Sequence, residues 1–138
     1  MAKTFLYRLF GIGKLPAALV SEFQSEGLLF SDEGIRGTVT YWNFRGGGRI
    51  FHGKRQWFGA AIVLTRKRLV AYRLRHPVIN VQLDDPRLKE LEISIEEPET
   101  LAICYDAGLF EPGSKGRIEY RFRTPVSKPL LAELDRLK

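Results

Sequence analysis

The chain of 138 residues contains a single cysteine, Cys104, and only two histidines. One cysteine cannot form an intrachain disulfide, and such scarcity is typical of a protein in a reducing compartment. No apolar stretch approaches the ~20 residues that span a bilayer. Charged residues, glycines and a proline interrupt the apolar start of the chain, where a signal peptide needs a continuous apolar core. We therefore expect a cytoplasmic protein.

The residue patterns of enzymes and metal sites are also missing. His52, His76 and Cys104 are scattered along the chain and form no HExxH, CxxC or paired-histidine motif. Two adjacent aspartates precede Pro86, where carboxylates usually form a turn. The glycine triplet at residues 46–48 is not followed by Lys-Ser or Lys-Thr and does not open a helix, so it is not a phosphate-binding loop. We expect a protein that is not an enzyme and uses no metal or other cofactor.

Acidic residues are absent from one long segment of the chain. The net charge is +6, yet ten basic residues and no acid occur from Arg36 to Arg75. From His76 to Glu111, nine acids stand against two basic residues. This polarity can attract an anionic partner or allow one copy of the protein to dock on another. It can equally reflect neighbouring strands whose charges compensate as cross-strand pairs.

Helical patterns occur near the start of the chain. Apolar residues within 4–13 have a spacing that suits a short helix. A second helix is indicated by Pro16 in its first turn, by an apolar stripe that ends at Phe23, and by Gly27 after its end. We assign residues 1–27 to an N-terminal helical extension, and we expect the two helices to pack across an opening or an edge of a sheet.

The centre of the predicted fold is a hairpin between Lys54 and Tyr72. Two apolar runs, rich in β-branched and aromatic residues, flank a polar turn and are too short for ordinary helices. In the first run Ile62 points to one face of the strand and Val63 to the other. Because both faces are apolar, this strand lies inside a sheet or barrel and not at its edge.

Further strands are predicted wherever apolar and polar residues alternate, separated by turns rich in Gly, Pro, Asp and Ser. These strands are expected at residues 28–30, 35–44, 74–83, 91–96, 101–105 and 117–123, with one more running from Arg49 to a bend at Gly53. Turns are expected at residues 31–34, 46–48, 84–86 and 97–99.

A last helix is predicted from Ser127, which can cap it, with Pro129 in its first turn. Its leucines form one apolar face: Leu130, Leu131, Leu134 and Leu137. A strongly bent antiparallel barrel of this size leaves an open end that such a helix can close. The predicted fold class is therefore mainly β with flanking helices: a partly open antiparallel barrel over 28–138, capped by a C-terminal α-helix and preceded by the N-terminal extension.

Several segments resemble a known family. IVLTRKRLVAYR, at 62–73, resembles the strand–turn–strand of GRAM and bacterial pleckstrin-homology-like (PH-like) domains, in which an apolar strand ends in Thr and a basic turn leads to an Arg-Leu strand. VINVQLDD at 78–85 and ELEISI at 90–95 resemble their next pair of strands. KRQWF at 54–58 is similar to the basic–aromatic entry to the second or third strand of pleckstrin-homology domains. The resemblance covers roughly residues 28–138 and implies a PH-like barrel.

The same resemblance implies a binding function, because pleckstrin-homology domains carry a basic phosphoinositide site in the loop between their first strands. Guanidinium groups bind phosphate oxygens in pairs, and glycines let backbone N–H groups approach the same anion. We predict a binding or assembly module for an anionic lipid headgroup, an anionic membrane surface, or a protein partner that includes a second copy of the chain. The candidate anion-binding residues, if their loops converge, are Arg45, Arg49, Lys54, Arg55, Arg66 and Lys67.

Single-stranded nucleic acid is the alternative ligand, through the basic and aromatic residues of segment 41–57. Trp42 and Phe44 are predicted on the strand face opposite Tyr41, where both rings could stack on bases. Tyr41 shares its face with Val39 and is expected in the core. The sequence favours the first function over this one, and it also allows that the basic residues are only solvated surface charges.

Overall fold

A computed structural model of the chain describes residues 15–138. Within these residues, eight strands form one strongly curled antiparallel sheet, a half-barrel with one helix at each end of the sequence. The predicted mainly β architecture is confirmed. The helix predicted over residues 4–13 lies outside the described residues.

The elements follow one another as helix α1 (Ala17–Ser25), strands β1 (Leu28–Gly46), β2 (Arg49–Phe51), β3 (Lys54–Thr65), β4 (Arg68–Arg73), β5 (His76–Gln82), β6 (Glu92–Glu96), β7 (Thr100–Asp106) and β8 (Lys115–Arg123), and helix α2 (Ser127–Leu137). Their order across the sheet is β5-β4-β3-β1-β8-β7-β6, and β2 pairs with the end of β1. β1 therefore lies at the centre, between β3 and β8.

β1 is one continuous strand where the sequence predicted a short strand, a turn over 31–34 and a second strand. The register with β3 shifts between Glu33 and Ile35, and Gly34 has a φ of +67°. The glycine forms a bulge that bends the strand without reversing it. Asp32, a residue type common in turns, is buried here and accepts a hydrogen bond from the Thr124 hydroxyl at 2.6 Å. Its hydrogen-bond partner is therefore a residue far away in the sequence.

The inner face of the sheet holds the main core, which α2 covers. Leu130 and Leu134 have no exposed surface and belong to the same apolar cluster as Ile62 and Leu64 of β3. The predicted apolar face of α2 is confirmed. Ser127 is not the cap, however, because its hydroxyl donates instead to the carbonyl oxygens of the segments before β7 and before α2.

The outer face of β3 and β4 is covered by α1. This position differs from the expected opening or edge of the sheet, and the reason is the second apolar face of β3, which needs a cover of its own. The contact is formed by Leu15, Phe23, Ala61, Val63, Val70 and Tyr72.

Arg68 fastens the end of α1 to the sheet. Its Nη2 lies 2.8 Å from Glu26 Oε2 and 3.1 Å from Glu22 Oε1, and its guanidinium lies over the Phe23 ring, 5.1 Å from the centroid. The Thr65 hydroxyl donates to Glu26 at 3.1 Å. In this half of the outer face, α1 therefore covers the apolar residues and its glutamates compensate the charge of Arg68.

Candidate functional site

The six predicted anion-binding residues lie in separate places. Arg66 and Lys67 form the turn after β3, whereas Lys54 and Arg55 begin that strand, about 35 Å away along its length. The remaining two, Arg45 and Arg49, flank the β1–β2 hairpin. The structure does not bring the six residues together, and anion binding by any one of them stays a prediction.

Neighbouring members of this set also point to opposite faces. Arg45 is paired with Ile50 and Arg49 with Gly46, so the two arginines project from different sides of the hairpin. Lys54 lies over the Phe51 ring at 4.3 Å on the inner side, while Arg55 Nε donates to Thr40 Oγ1 at 3.3 Å on the outer side. The loops alone do not build one site.

The acidic strands are compensated by β8 and not by the basic segment 36–75. Glu92 pairs with Arg117, and Arg121 Nε donates to Glu96 at 2.9 Å. Among residues 15–138 no ion pair joins the basic segment to the acids of 76–111. Within the described part of the chain, Arg68 is the one member of the basic segment that forms an ion pair, with the glutamates of α1.

A groove on the outer face collects arginines that the sequence analysis did not combine. Its volume is about 200 Å³, and Thr100 and Glu96 form one side of it. We call it the arginine groove; its other lining residues are Arg36, Thr38, Arg55, Trp57, Arg121 and Arg123.

Strand register places these side chains on one face. Thr38 of β1 lies directly between Trp57 of β3 and Arg121 of β8, and Arg36 lies opposite Arg123. Residues paired across antiparallel strands, and residues two apart on one strand, share a face of the sheet. The groove is thus a consequence of the pairing of β3, β1 and β8, which a single sequence does not reveal.

Arg36 and Arg123 form a like-charged pair directly across β1 and β8. Side chains in such pairs have Cβ atoms about 4.5–5.5 Å apart, and like charges there destabilise the sheet. Within residues 15–138 neither arginine has an acidic partner; the Arg36 guanidinium instead lies 5.6 Å from the centroid of the Trp57 ring. Two arginines therefore line the groove without an ion-pair partner among the described residues.

Arg121 carries part of the charge of the groove in a fixed position. Its Nη1 lies 3.0 Å from Glu119 Oε2, but this buried nitrogen is not aligned for a hydrogen bond with any acceptor in the described residues. The hydrogen bond to Glu96 raises the pKa of Arg121 above its usual value, so the side chain stays charged. Four arginines and one glutamate line the groove, and Glu119, outside the lining, also contacts Arg121.

Two tryptophans are exposed on the same outer face. Trp57 is 64% exposed and Trp42 is 45% exposed. Phe44, predicted beside Trp42, is instead buried, because Asn43 has a φ of +49° and the register with β8 shifts there. This irregularity turns Phe44 to the inner side, where its ring lies 5.1 Å from that of Tyr41; Tyr41 packs against the core as predicted.

The remaining candidate reactive group is the thiol of Cys104. Cys104 is half-buried, burial raises the pKa of its thiol, and it accepts a contact from Arg117 Nη2 at 3.1 Å. Residues 15–138 contain no group of three or more His, Cys, Asp and Glu side chains placed to hold a metal ion. In the same part of the chain, no helix combines the length and the apolar character needed to cross a membrane.

No protein-family model matches this chain, and no curated protein matches its sequence. The resemblance of residues 28–138 to PH-like domains therefore stays a prediction.

Proposed function

We propose that this protein is a non-catalytic binding module that holds a phosphate group of its ligand in the arginine groove. The observation that carries the proposal is the direct opposition of Arg36 and Arg123 across β1 and β8. Such a pair lowers the stability of a sheet unless an anion lies between the side chains. A bound phosphate neutralises both guanidinium groups and offers each of them a pair of oxygens.

The size of the groove supports a phosphate group and not a whole metabolite. Pockets that enclose drug-sized ligands have volumes of about 300–1,000 Å³, whereas this groove has about 200 Å³ and is open to solvent. The rest of the ligand therefore extends along the surface of the sheet. Thr38 and Thr100 supply hydroxyl groups at the floor and side of the groove, where they can donate to phosphate oxygens.

The proposal keeps the kind of ligand that the PH-like resemblance implies but changes the location of the site. Of the six residues predicted from the sequence, only Arg55 lines the groove. We also propose that the protein acts in the cytoplasm, which its single cysteine favours. Docking of a second copy on the acidic β6 is the weaker proposal, because Glu92 and Glu96 already pair with arginines of the same chain.

The test is titration with inorganic pyrophosphate at low ionic strength, followed by calorimetry. We expect the double variant Arg36→Gln, Arg123→Gln to bind pyrophosphate at least about tenfold more weakly, because it loses two charge-assisted contacts. The matched control is Arg49→Gln, Arg66→Gln, which removes the same charge from two exposed positions outside the groove. Its affinity should stay within about twofold. Equal losses in both variants, or no binding by the unmodified protein, would show that the groove is not a site.

A second candidate function, contact with an anionic membrane surface, is favoured by the β1–β2 hairpin. Ile50 is 56% exposed there, beside Arg49 and opposite Arg45. A basic residue near an anionic bilayer contributes about 1 kcal/mol, and an exposed apolar side chain can enter the interface. Flotation with neutral and anionic vesicles tests it: Ile50→Ser should abolish binding while the groove double variant retains it. The reverse pattern would assign the phosphate contact to the groove.

A further inference from the structure

We propose that the ligand is a single-stranded nucleic acid that crosses the outer face of the sheet from the arginine groove to Trp42. This inference rests on the proposed function, because the groove supplies the first phosphate contact of the strand. It differs from the path expected from the sequence, because Phe44 is buried and Trp57 takes its place as a stacking ring.

The two exposed tryptophans are placed to hold successive parts of one strand. Trp57 is paired with Thr38 of β1, and Trp42 lies four residues further along β1 on the same face. Their separation along the strands is therefore about 13 Å. Both rings are exposed, whereas most large apolar side chains of the described residues are buried. Every base has a π-face that such rings can bind.

A guanidinium lies between the two rings. Arg55 is two residues from Trp57 on β3, and its partner Thr40 is two residues from Trp42 on β1. The hydrogen bond from Arg55 Nε to Thr40 Oγ1 fixes the stem, while the terminal nitrogens of Arg55 make no hydrogen bond within residues 15–138. The order ring, cation, ring matches the alternation of bases and phosphates in a single strand.

The positions on β1 between the two rings carry small side chains. Thr38 and Thr40 occupy the positions between Trp57 and Trp42 and are only 7% and 1% exposed. The larger side chains on both sides, among them Arg55 of β3 and Glu119 of β8, cover these threonines and border a track along β1. At one end of the track, Arg36 and Arg123 supply the uncompensated charge of the groove.

This arrangement suits a single strand better than a duplex or a membrane. A duplex offers phosphates but keeps its bases stacked on one another, so it gains nothing from the two rings. A bilayer presents headgroups in a plane and would first meet the protruding hairpin with Ile50, not a track that follows the strands of a sheet. Only an unpaired strand uses both the rings and the arginines.

The test is fluorescence anisotropy with labelled oligothymidylate and oligouridylate of about 12 nucleotides, a duplex of the same length, and anionic vesicles as competitor. We expect Trp57→Ala and Trp42→Ala each to weaken single-strand binding by about 5- to 150-fold, the loss of one stacked base. Duplex affinity should remain unchanged. The control Leu74→Ala removes another exposed apolar side chain, 42% exposed, and should leave single-strand binding intact. Thermal melts verify that each variant folds.

The outcomes separate this inference from the proposed function. If Trp42→Ala weakens strand binding while pyrophosphate binding persists, the track is supported. If pyrophosphate binds but the tryptophan variants bind oligonucleotides normally, or if single strands, duplexes and vesicles bind with equal salt-sensitive affinity, the nucleic-acid inference is wrong and the groove remains a phosphate site. If pyrophosphate fails to bind at all, the proposed function itself is wrong.

Discussion

The two halves of the outer face of the sheet have opposite surroundings. Over β3 and β4, α1 covers an apolar patch, and its glutamates compensate Arg68. Over the beginning of β3 and over β1 and β8, the same face exposes Trp57 and carries a like-charged arginine pair. One continuous sheet thus uses one half of its outer face for packing and leaves the other half to solvent.

β3 shows how sharply the two halves are divided. Val63 near its end has no exposed surface, whereas Trp57, six residues earlier on the same face, is 64% exposed. Since α1 has nine residues, it is about 14 Å long and covers only part of a 12-residue strand. We expect a large aromatic residue outside that cover to contribute little to folding and to remain accessible to a ligand.

The largest expected difference in stability is between alanine substitutions of one aromatic residue in each half. Phe23 is 1% exposed, and Phe23→Ala should destabilise the protein by about 3–5 kcal/mol. Trp57→Ala should cost about 1 kcal/mol or less, since it removes only cross-strand contacts and the cation–π contact with Arg36. Urea denaturation measures both values. Similar losses in the two variants would mean that Trp57 belongs to the folding core and that the contrast between the halves does not hold.

A smaller effect is expected at the ion pair that secures α1. Burial disfavours the charged Glu26 carboxylate, but hydrogen bonds from Arg68 and Thr65 and the charge of Arg68 outweigh it, so the pKa of Glu26 lies below its usual value of 4.5. Because the pKa is lowered in the folded state, the pair stabilises the protein above that value and loses its effect as the pH falls through the lowered pKa.

Glu26→Gln should therefore lower the stability at pH 7 by about 1 kcal/mol, and the difference from the unmodified protein should vanish in acid. The matched control is Glu22→Gln: Glu22 also contacts Arg68, but its side chain is 54% exposed against 14% for Glu26, so its loss should be smaller. Denaturation at several pH values measures both. A Glu26 effect that persists in acid below its lowered pKa would contradict the role of its charge.

The fold could be predicted from the sequence wherever one regular spacing of apolar residues dominates a segment. Alternation of apolar residues was enough to place Ile62 and Val63 on opposite faces of β3, and helical spacing was enough to place Leu134 on the apolar face of α2. The turn predicted at 31–34 was wrong because Asp32 and Gly34 have turn composition in isolation. Thr124, 92 residues away, bonds the carboxylate of Asp32, and a bulge at Gly34 keeps the strand continuous.

The candidate site was much less accessible to sequence reasoning. Arg36 belonged to the recognised basic segment, but its pairing with Arg123 joins residues 87 positions apart through strand register. Trp57 was assigned to a strand buried on both faces, and nothing in a single sequence indicates where α1 stops covering that strand. The available signal is the alternation within residues 117–123, which places Arg117, Glu119, Arg121 and Arg123 on one face without showing what that face adjoins.

The smallest expected change in stability is a gain, and it concerns only the open half of the outer face. Arg123→Gln should increase stability by about 0.2–1 kcal/mol at low salt, because it relieves the repulsion of Arg36. The gain should shrink in 1 M salt, where the Debye length is about 3 Å. Arg49→Gln, an equal charge change in the hairpin, should leave stability within about 0.5 kcal/mol of the original. With pyrophosphate added, the unmodified protein should become more stable than Arg123→Gln, because the unmodified protein alone retains the full groove and is stabilised by the bound anion.

A loss of stability in Arg123→Gln without any anion would mean that this arginine supports the fold. The like-charged pair would then give no reason to expect a ligand in the groove.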